Sequence, residues 1–172
     1  HAPDIQGIEP KDCLFRMNRD VRFSKDKSPY KINMSVYIAP GGKKSFKAGY
    51  YLHIQPNASF LAGGIWMPEP ARLQAIRQEI DYHLQDFVHI LSEPKLIKTG
   101  LTLDEQMSLA GAPKGYDKEN PALPYIKLKS FILSKNIDIH QIQDGEIVDF
   151  VHKHFEAMVP FCQFLNTAID SE

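Results

Sequence analysis

The sequence predicts an α+β fold, an antiparallel sheet of four or five strands with two long helices packed on one face. Three observations carry this prediction. Apolar and polar residues alternate through 32–38, 50–55 and 59–67, the period of a half-buried strand. The runs 50–55 and 59–67 are joined by a short turn at Pro56 and Asn57, which makes the strands antiparallel neighbours. Beyond Pro68, and again beyond residue 144, apolar residues recur about every 3.6 positions, the period of a helix with one buried stripe.

Residues 1–12 hold Pro3, Gly7 and Pro10 and read as an irregular lead-in. Cys13, Phe15 and Met17 alternate with Leu14, Arg16 and Asn18, which predicts a half-buried strand over 13–17. A polar turn over 24–29 leads to the cleanest strand signal, Ile32, Met34, Val36 and Ile38 against Asn33, Ser35 and Tyr37. Pro40, Gly41 and Gly42 end it. Tyr50, Leu52 and Ile54 alternate with Tyr51, His53 and Gln55, and a further strand runs from Ser59 to Met67. Gly63 and Gly64 within that strand predict a bulge or a close approach of another group to the backbone.

A helix is predicted over 70–92, with Leu73, Ile76, Ile80, Leu84, Phe87, Val88 and Leu91 on its stripe and Pro94 as its stop. Within the less regular 95–124, a short helix is expected over 104–110, and a strand over 125–134 follows. Asp144 is placed to cap a second long helix over 145–158 with Ile147, Val151, Phe155 and Met158 facing inward, and Pro160 is expected to kink or break it. If both helices cover one face of the sheet, the other face carries Arg16, Asn18, Asn33, Ser35, Tyr37, Tyr51, His53 and Gln55. Such a polar and aromatic surface suits a ligand groove, and equally suits a face that is merely wet.

At 172 residues the chain is long enough for one hydrophobic core, and residues 1–172 are read as one domain. Its 43% hydrophobic and 24% charged residues exclude global disorder. A net charge of −1 leaves no long-range positive field, so non-specific nucleic-acid binding is not expected. No run approaches the roughly 20 apolar residues of a membrane span, no secretory leader opens the chain, and the cytoplasm is the default location. Cys13 and Cys162 belong to no CxxC pair and are expected as buried free thiols, with a disulfide between them left open. His1 runs straight into APDIQGIEP, which implies a start inside a longer protein. The sequence carries no signal of oligomeric state.

Charge concentrates in one place, the stretch 14–31. Arg16, Arg19, Arg22, Lys25, Lys27 and Lys31 stand there with Asp20 and Asp26, leaving it net +4 in a chain that totals −1. Guanidinium forks and ammonium groups match phosphate or carboxylate. The same residues could instead form an Arg/Asp network that locks a strand-turn-strand unit. Candidate ligand-binding residues are Arg16, Asn18, Arg19, Asp20, Arg22, Asp26, Lys27, Tyr30, Lys31 and His53. The leading expectation is a binding domain for an anionic, phosphate-bearing small molecule or nucleotide. A phosphoesterase-type enzyme using Asp20, Asp26 and His53, or a protein-interaction module in which the cluster is structural, are the alternatives.

No catalytic residue, metal ligand or cofactor is assigned. His152 and His154 are two apart on a predicted helix and point in different directions, which argues against a shared metal. There is no GxSxG, and neither Cys has a His nearby. GGKKS lacks the spacing of a phosphate loop and introduces no helix, so IAPGGKKS reads as a basic hairpin loop that could fold over the site.

The string RMNRDVRFSKDKSPYK resembles the core of a mainly bacterial family, domain of unknown function 2461, through Arg16, Asn18, Arg19, Asp20, Arg22, Phe23, Ser24, Asp26, Lys27, Pro29, Tyr30 and Lys31. IAPGGKKS, AGYYLHIQP, LAGGIWMPEP, APKGY, LKSF and PFCQFLNTAI extend the similarity over essentially the whole chain, closest to the Bacteroidetes branch. Members usually begin with a further few dozen residues bearing a Trp-Phe motif, so the resemblance implies that an N-terminal part is missing here. Ahead of APKGY they carry Lys or Arg where this chain has Ala110 and Gly111. The resemblance implies one α+β domain and carries no activity.

Overall fold

A computed structural model describes residues 5–18, 22–23, 25, 27–142 and 145–171. Of the predicted site residues, Arg19, Asp20 and Asp26 lie outside the described residues, as does the expected helix cap Asp144. Five strands, β1 (Met34–Ile38), β2 (Gly49–Ile54), β3 (Ser59–Ile65), β4 (Thr102–Leu103) and β5 (Phe131–Ile137), form one sheet in the order β1-β2-β3-β5-β4. Every pairing is antiparallel. The helices are α1 (Pro10–Cys13), α2 (Pro70–Tyr82), α3 (Leu84–Ser92), α4 (Pro94–Thr99), α5 (Leu123–Ile126) and α6 (Ile147–Asp170). Among the described residues, no helix is long and apolar enough to cross a membrane.

The alternation decides which sheet face is covered. Leu61, Gly63 and Ile65 of β3 and Phe131, Leu133 and Ile137 of β5 point to one side, where Ile76, Ile80, Phe87, Met158, Phe161 and Leu165 bury completely against them. Gly63 shows why glycine stands there: a Cβ would run into the Met158 side chain, so its absence lets α6 press onto β3. The close approach foreseen at the glycine pair is this one. At the far end of α6, buried Asn166 accepts from the Ala48 N–H at 2.8 Å and donates to the Ala48 carbonyl at 3.2 Å, which ties the helix to the start of β2. Cys162 is buried and free, and burial pushes its thiol up to about 12; Cys13 is likewise buried and free.

Five expectations are corrected. The 13–17 strand is absent: Pro10 opens the single turn of α1, and Leu14 and Asn18 make only isolated bridges, to Val36 and Tyr30. Its alternation does not divide inside from outside, because Leu14, Phe15 and Met17 are all exposed while Cys13 is buried. The helix expected over 70–92 bends at His83 (φ −120°, ψ 41°) into α2 and α3, and the bend sends Phe87 fully into the core. No helix forms over 104–110, since its backbone groups pair across to the start of β5 and the chain ahead of it: Asp104 N–H to Ile132, Leu109 N–H to Lys127, and Lys129 N–H to Met107. That pairing and the Pro124-led turn of α5 delay the strand expected over 125–134, which starts at Phe131 and continues to Ile137. Finally, Pro160 does not break α6, which runs on to Asp170 because the turns beyond the proline bury Phe161, Leu165 and Ile169.

His154 lies inside α6 and is 4% exposed. Its Nδ1 lies 2.7 Å from the Phe150 carbonyl and its Nε2 lies 3.4 Å from the Lys135 ammonium. Burial first, and then the cations Lys135 and Lys153, hold its pKa below the usual 6.5. Above that value the ring is neutral folded and unfolded alike. Below it the unfolded chain takes the proton first, so stability falls as the pH drops from about 6.5 through the folded-state pKa. Urea midpoints measured between pH 7.5 and 5 should fall in the native chain and fall less in His154→Gln; equal slopes would remove His154 as the cause.

Candidate functional site

The face of the sheet opposite α6 is open, and a groove of about 810 Å³ runs across it. Strand register arranges its floor in rows. Tyr37 and Tyr51 face each other across β1 and β2, Tyr51 stands opposite Ala62, and Ala62 opposite Ser134. One row on, Gly49, Gly64 and Ile132 are neighbours; in the other direction, Phe60 stands opposite His53 and Asn136. Small residues therefore leave the middle of the floor bare, and aromatic rings rise beside it.

The rings form a connected wall. Phe15 meets Tyr51 edge-on with centroids 6.3 Å apart, Tyr51 and Phe60 are 5.6 Å apart, and Phe60 stacks on the His53 ring at 4.9 Å. Trp66 and Met67, which follow β3, close the other side. The Tyr37 hydroxyl donates to the Lys47 carbonyl at 2.7 Å, and burial raises its pKa above the ordinary phenol range. Tyr37 is thus a neutral donor fixed to the loop over the groove.

Cations gather at the Gly49–Gly64 end. The β1–β2 loop supplies Lys43, Phe46 and Lys47, and α2 supplies Arg72, whose guanidinium lies 4.0 Å from the centre of the Phe46 ring. Two of the three cations have acidic partners: Arg72 with Glu69 at 2.8 Å, and Lys47 with Asp170 at 2.6 Å. Lys43 donates to the Lys11 carbonyl at 2.8 Å, which leaves its charge in place. The loop read as a flap does border the groove. It is pinned there by these contacts and by the Lys43 N–H bonding to Asp12.

His53 stands behind Phe60 and outside the groove lining. Its Nε2 lies 3.2 Å from the Gln55 side-chain oxygen, which can only accept, so Nε2 carries the hydrogen. Nδ1 is then an acceptor with one lone pair, and the Ser35 hydroxyl at 3.0 Å and the Tyr51 hydroxyl at 3.2 Å both lie within its reach. Both ring nitrogens are engaged within the sheet.

The charged stretch lies elsewhere. Arg16, Asn18, Arg22, Lys27, Tyr30 and Lys31 are exposed, on an arm whose two halves are joined by the Asn18–Tyr30 bridge and the Lys31 N–H to Met17 bond at 2.8 Å. Among the described residues of 14–31, Phe15 alone lines the groove. Arg16→Ala should therefore cost less than about 1 kcal/mol in a denaturant melt, as an exposed side chain does. A loss above roughly 3 kcal/mol would mean that Arg16 balances a charge buried within the fold.

Sequence reasoning reached the Tyr37 and Tyr51 wall through alternation. It missed Phe46, Trp66, Arg72, Ser134 and Asn136. The alternation of Ile132, Ser134 and Asn136 against Phe131, Leu133 and Ile137 was the available signal for the last two.

A profile for the family described as conserved hypothetical protein (DUF2461) matches residues 1–164 of this chain. No curated protein and no solved structure gives a significant match.

Proposed function

Because the chain belongs to the DUF2461 family of conserved hypothetical proteins, a description that names no activity, we propose from the groove that it is a binding domain for an anionic small molecule with a flat, apolar body. One observation carries this: a concave surface of about 810 Å³ with aromatic walls, a bare floor and cations collected at one end. Sites for small molecules have this size and this mixture of apolar lining with few polar groups. Phosphate-bearing molecules fit the anionic requirement, with Lys43 as the first contact.

The test is a thermal-shift screen of nucleotides, phosphorylated metabolites and aryl carboxylates against the native chain and Ala62→Leu, which fills the floor without touching the α6 side. A ligand at 100 times its Kd should stabilise the native chain by about 2.7 kcal/mol, and the variant should lose that gain while melting normally alone. Should every active compound stabilise both proteins equally, the groove is not the site.

A second reading has its own support. Phe23 is 96% exposed and Ile32 75% exposed, on the arm that carries Arg16, Lys27 and Lys31. Exposed apolar residues among cations favour a protein-interaction module with an acidic partner surface. A phosphoesterase using Asp20, Asp26 and His53 gains no support from His53, whose nitrogens are both engaged.

A further inference from the structure

The two ends of the groove differ chemically, and the difference defines what can lie in it. At the Gly49–Gly64–Ile132 end stand the cations of the loop and of α2. Four residues along the strands, at the Phe60–Asn136 end, the wall is a ring and the polar group is a carboxamide. At about 3.3 Å per residue the separation is roughly 13 Å. The side chains of Ser134 and Asn136 make no hydrogen bond with any described residue, although both line the groove. They offer a hydroxyl at its middle and an adjacent donor and acceptor at its end.

Resting on the groove reading above, we infer that the ligand is a nucleoside monophosphate, its base against Asn136 and Phe60, its sugar over Ser134 and its single phosphate at Lys43. A carboxamide matches the paired donor and acceptor on a base edge, as Asn and Gln do in reading adenine. A ring face beside it takes the base by stacking. The charge balance at the other end sets the phosphate count. Among the described residues that line this end, Arg72 and Lys47 are already matched by Glu69 and Asp170, so Lys43 supplies the one uncompensated charge. Asp104, also in the lining, opposes a longer polyphosphate.

Calorimetric titration with AMP, ATP, adenosine and inorganic phosphate tests the assignment, in the native chain and in Asn136→Ala and Lys43→Gln, each checked for an unchanged melt without ligand. AMP should bind at least tenfold tighter than adenosine and tenfold tighter than ATP. Asn136→Ala should weaken AMP about tenfold and leave inorganic phosphate unchanged, while Lys43→Gln should erase the preference for AMP over adenosine. Equal affinities for AMP and ATP, or full AMP binding by Asn136→Ala, overturn the inference. If nucleotides fail but an aryl carboxylate stabilises the native chain and not Ala62→Leu, the nucleotide assignment falls and the groove reading stands. If no compound of either class distinguishes Ala62→Leu, both fall.

Discussion

Gly64→Ala should cost roughly 3 to 5 kcal/mol, the sum of a strained backbone and an overfilled contact. Gly64 has φ +127°, a conformation that side-chain-bearing residues rarely adopt, and a Cβ built there would meet the Phe131 carbonyl oxygen and approach the Phe161 ring to 3.1 Å. Neither neighbour can give way: the carbonyl belongs to the paired strand β5, and Phe161 is fully buried. Urea unfolding of the variant measures the loss directly. A change below about 1 kcal/mol would show that β3 relaxes into an ordinary strand, and the groove floor would then lose its shape as well.

Phe87→Ala should cost about as much, in the range of 3 to 5 kcal/mol that emptying a fully buried aromatic site produces. The ring is 0% exposed and packs at 5.2 Å from Tyr125, 6.0 Å from Phe161 and 5.3 Å from Phe164. It joins α3, α5 and α6, so a cavity there has no single flexible neighbour to fill it. Val88 follows it in α3 and is exposed, so Val88→Ala is the matched control at under about 0.5 kcal/mol. Similar midpoints for the two variants would mean that the bend at His83 does not serve to bury Phe87.

The parts legible in the sequence share one property: their neighbours in space are their neighbours in the chain. β1, β2 and β3 form a meander joined by loops of ten and four residues, and α6 carries a stripe long enough to read alone. Where pairing is with distant residues, local pattern failed. Residues 104–109 spend their backbone hydrogen bonds on 127–132, and nothing in either segment alone announces the other. His83 bends a helix with neither Pro nor Gly, under the pull of the pocket that takes Phe87. The site divides the same way. Tyr37 and Tyr51 followed from alternation, whereas Phe46, Trp66 and Arg72 reach the groove from loop and helix ends whose direction only the folded sheet sets. Dense charge drew the eye to Arg16–Lys31, yet the described cations of that stretch stand on an exposed arm, and the polar groups of the groove are scattered singly along the chain.

The strand order β1-β2-β3-β5-β4 also bears on when the groove can exist. Half of its floor, from Ala62 to Tyr37, belongs to the meander and can close over short loops. The other half, Ile132, Ser134 and Asn136, arrives only when β5 docks, in a register that pairs Ser59 with Ile137 across the whole excursion through α2 to α5. Closing so long a loop costs entropy before any contact offsets it, so this docking belongs to the slow part of folding. Because β5 follows α2 to α5 in the chain, an emerging chain holds an unfinished concavity until residue 137 has been made. Whatever lies in the groove meets the finished molecule, and a nascent or truncated chain ending before residue 131 lacks the surface to hold it.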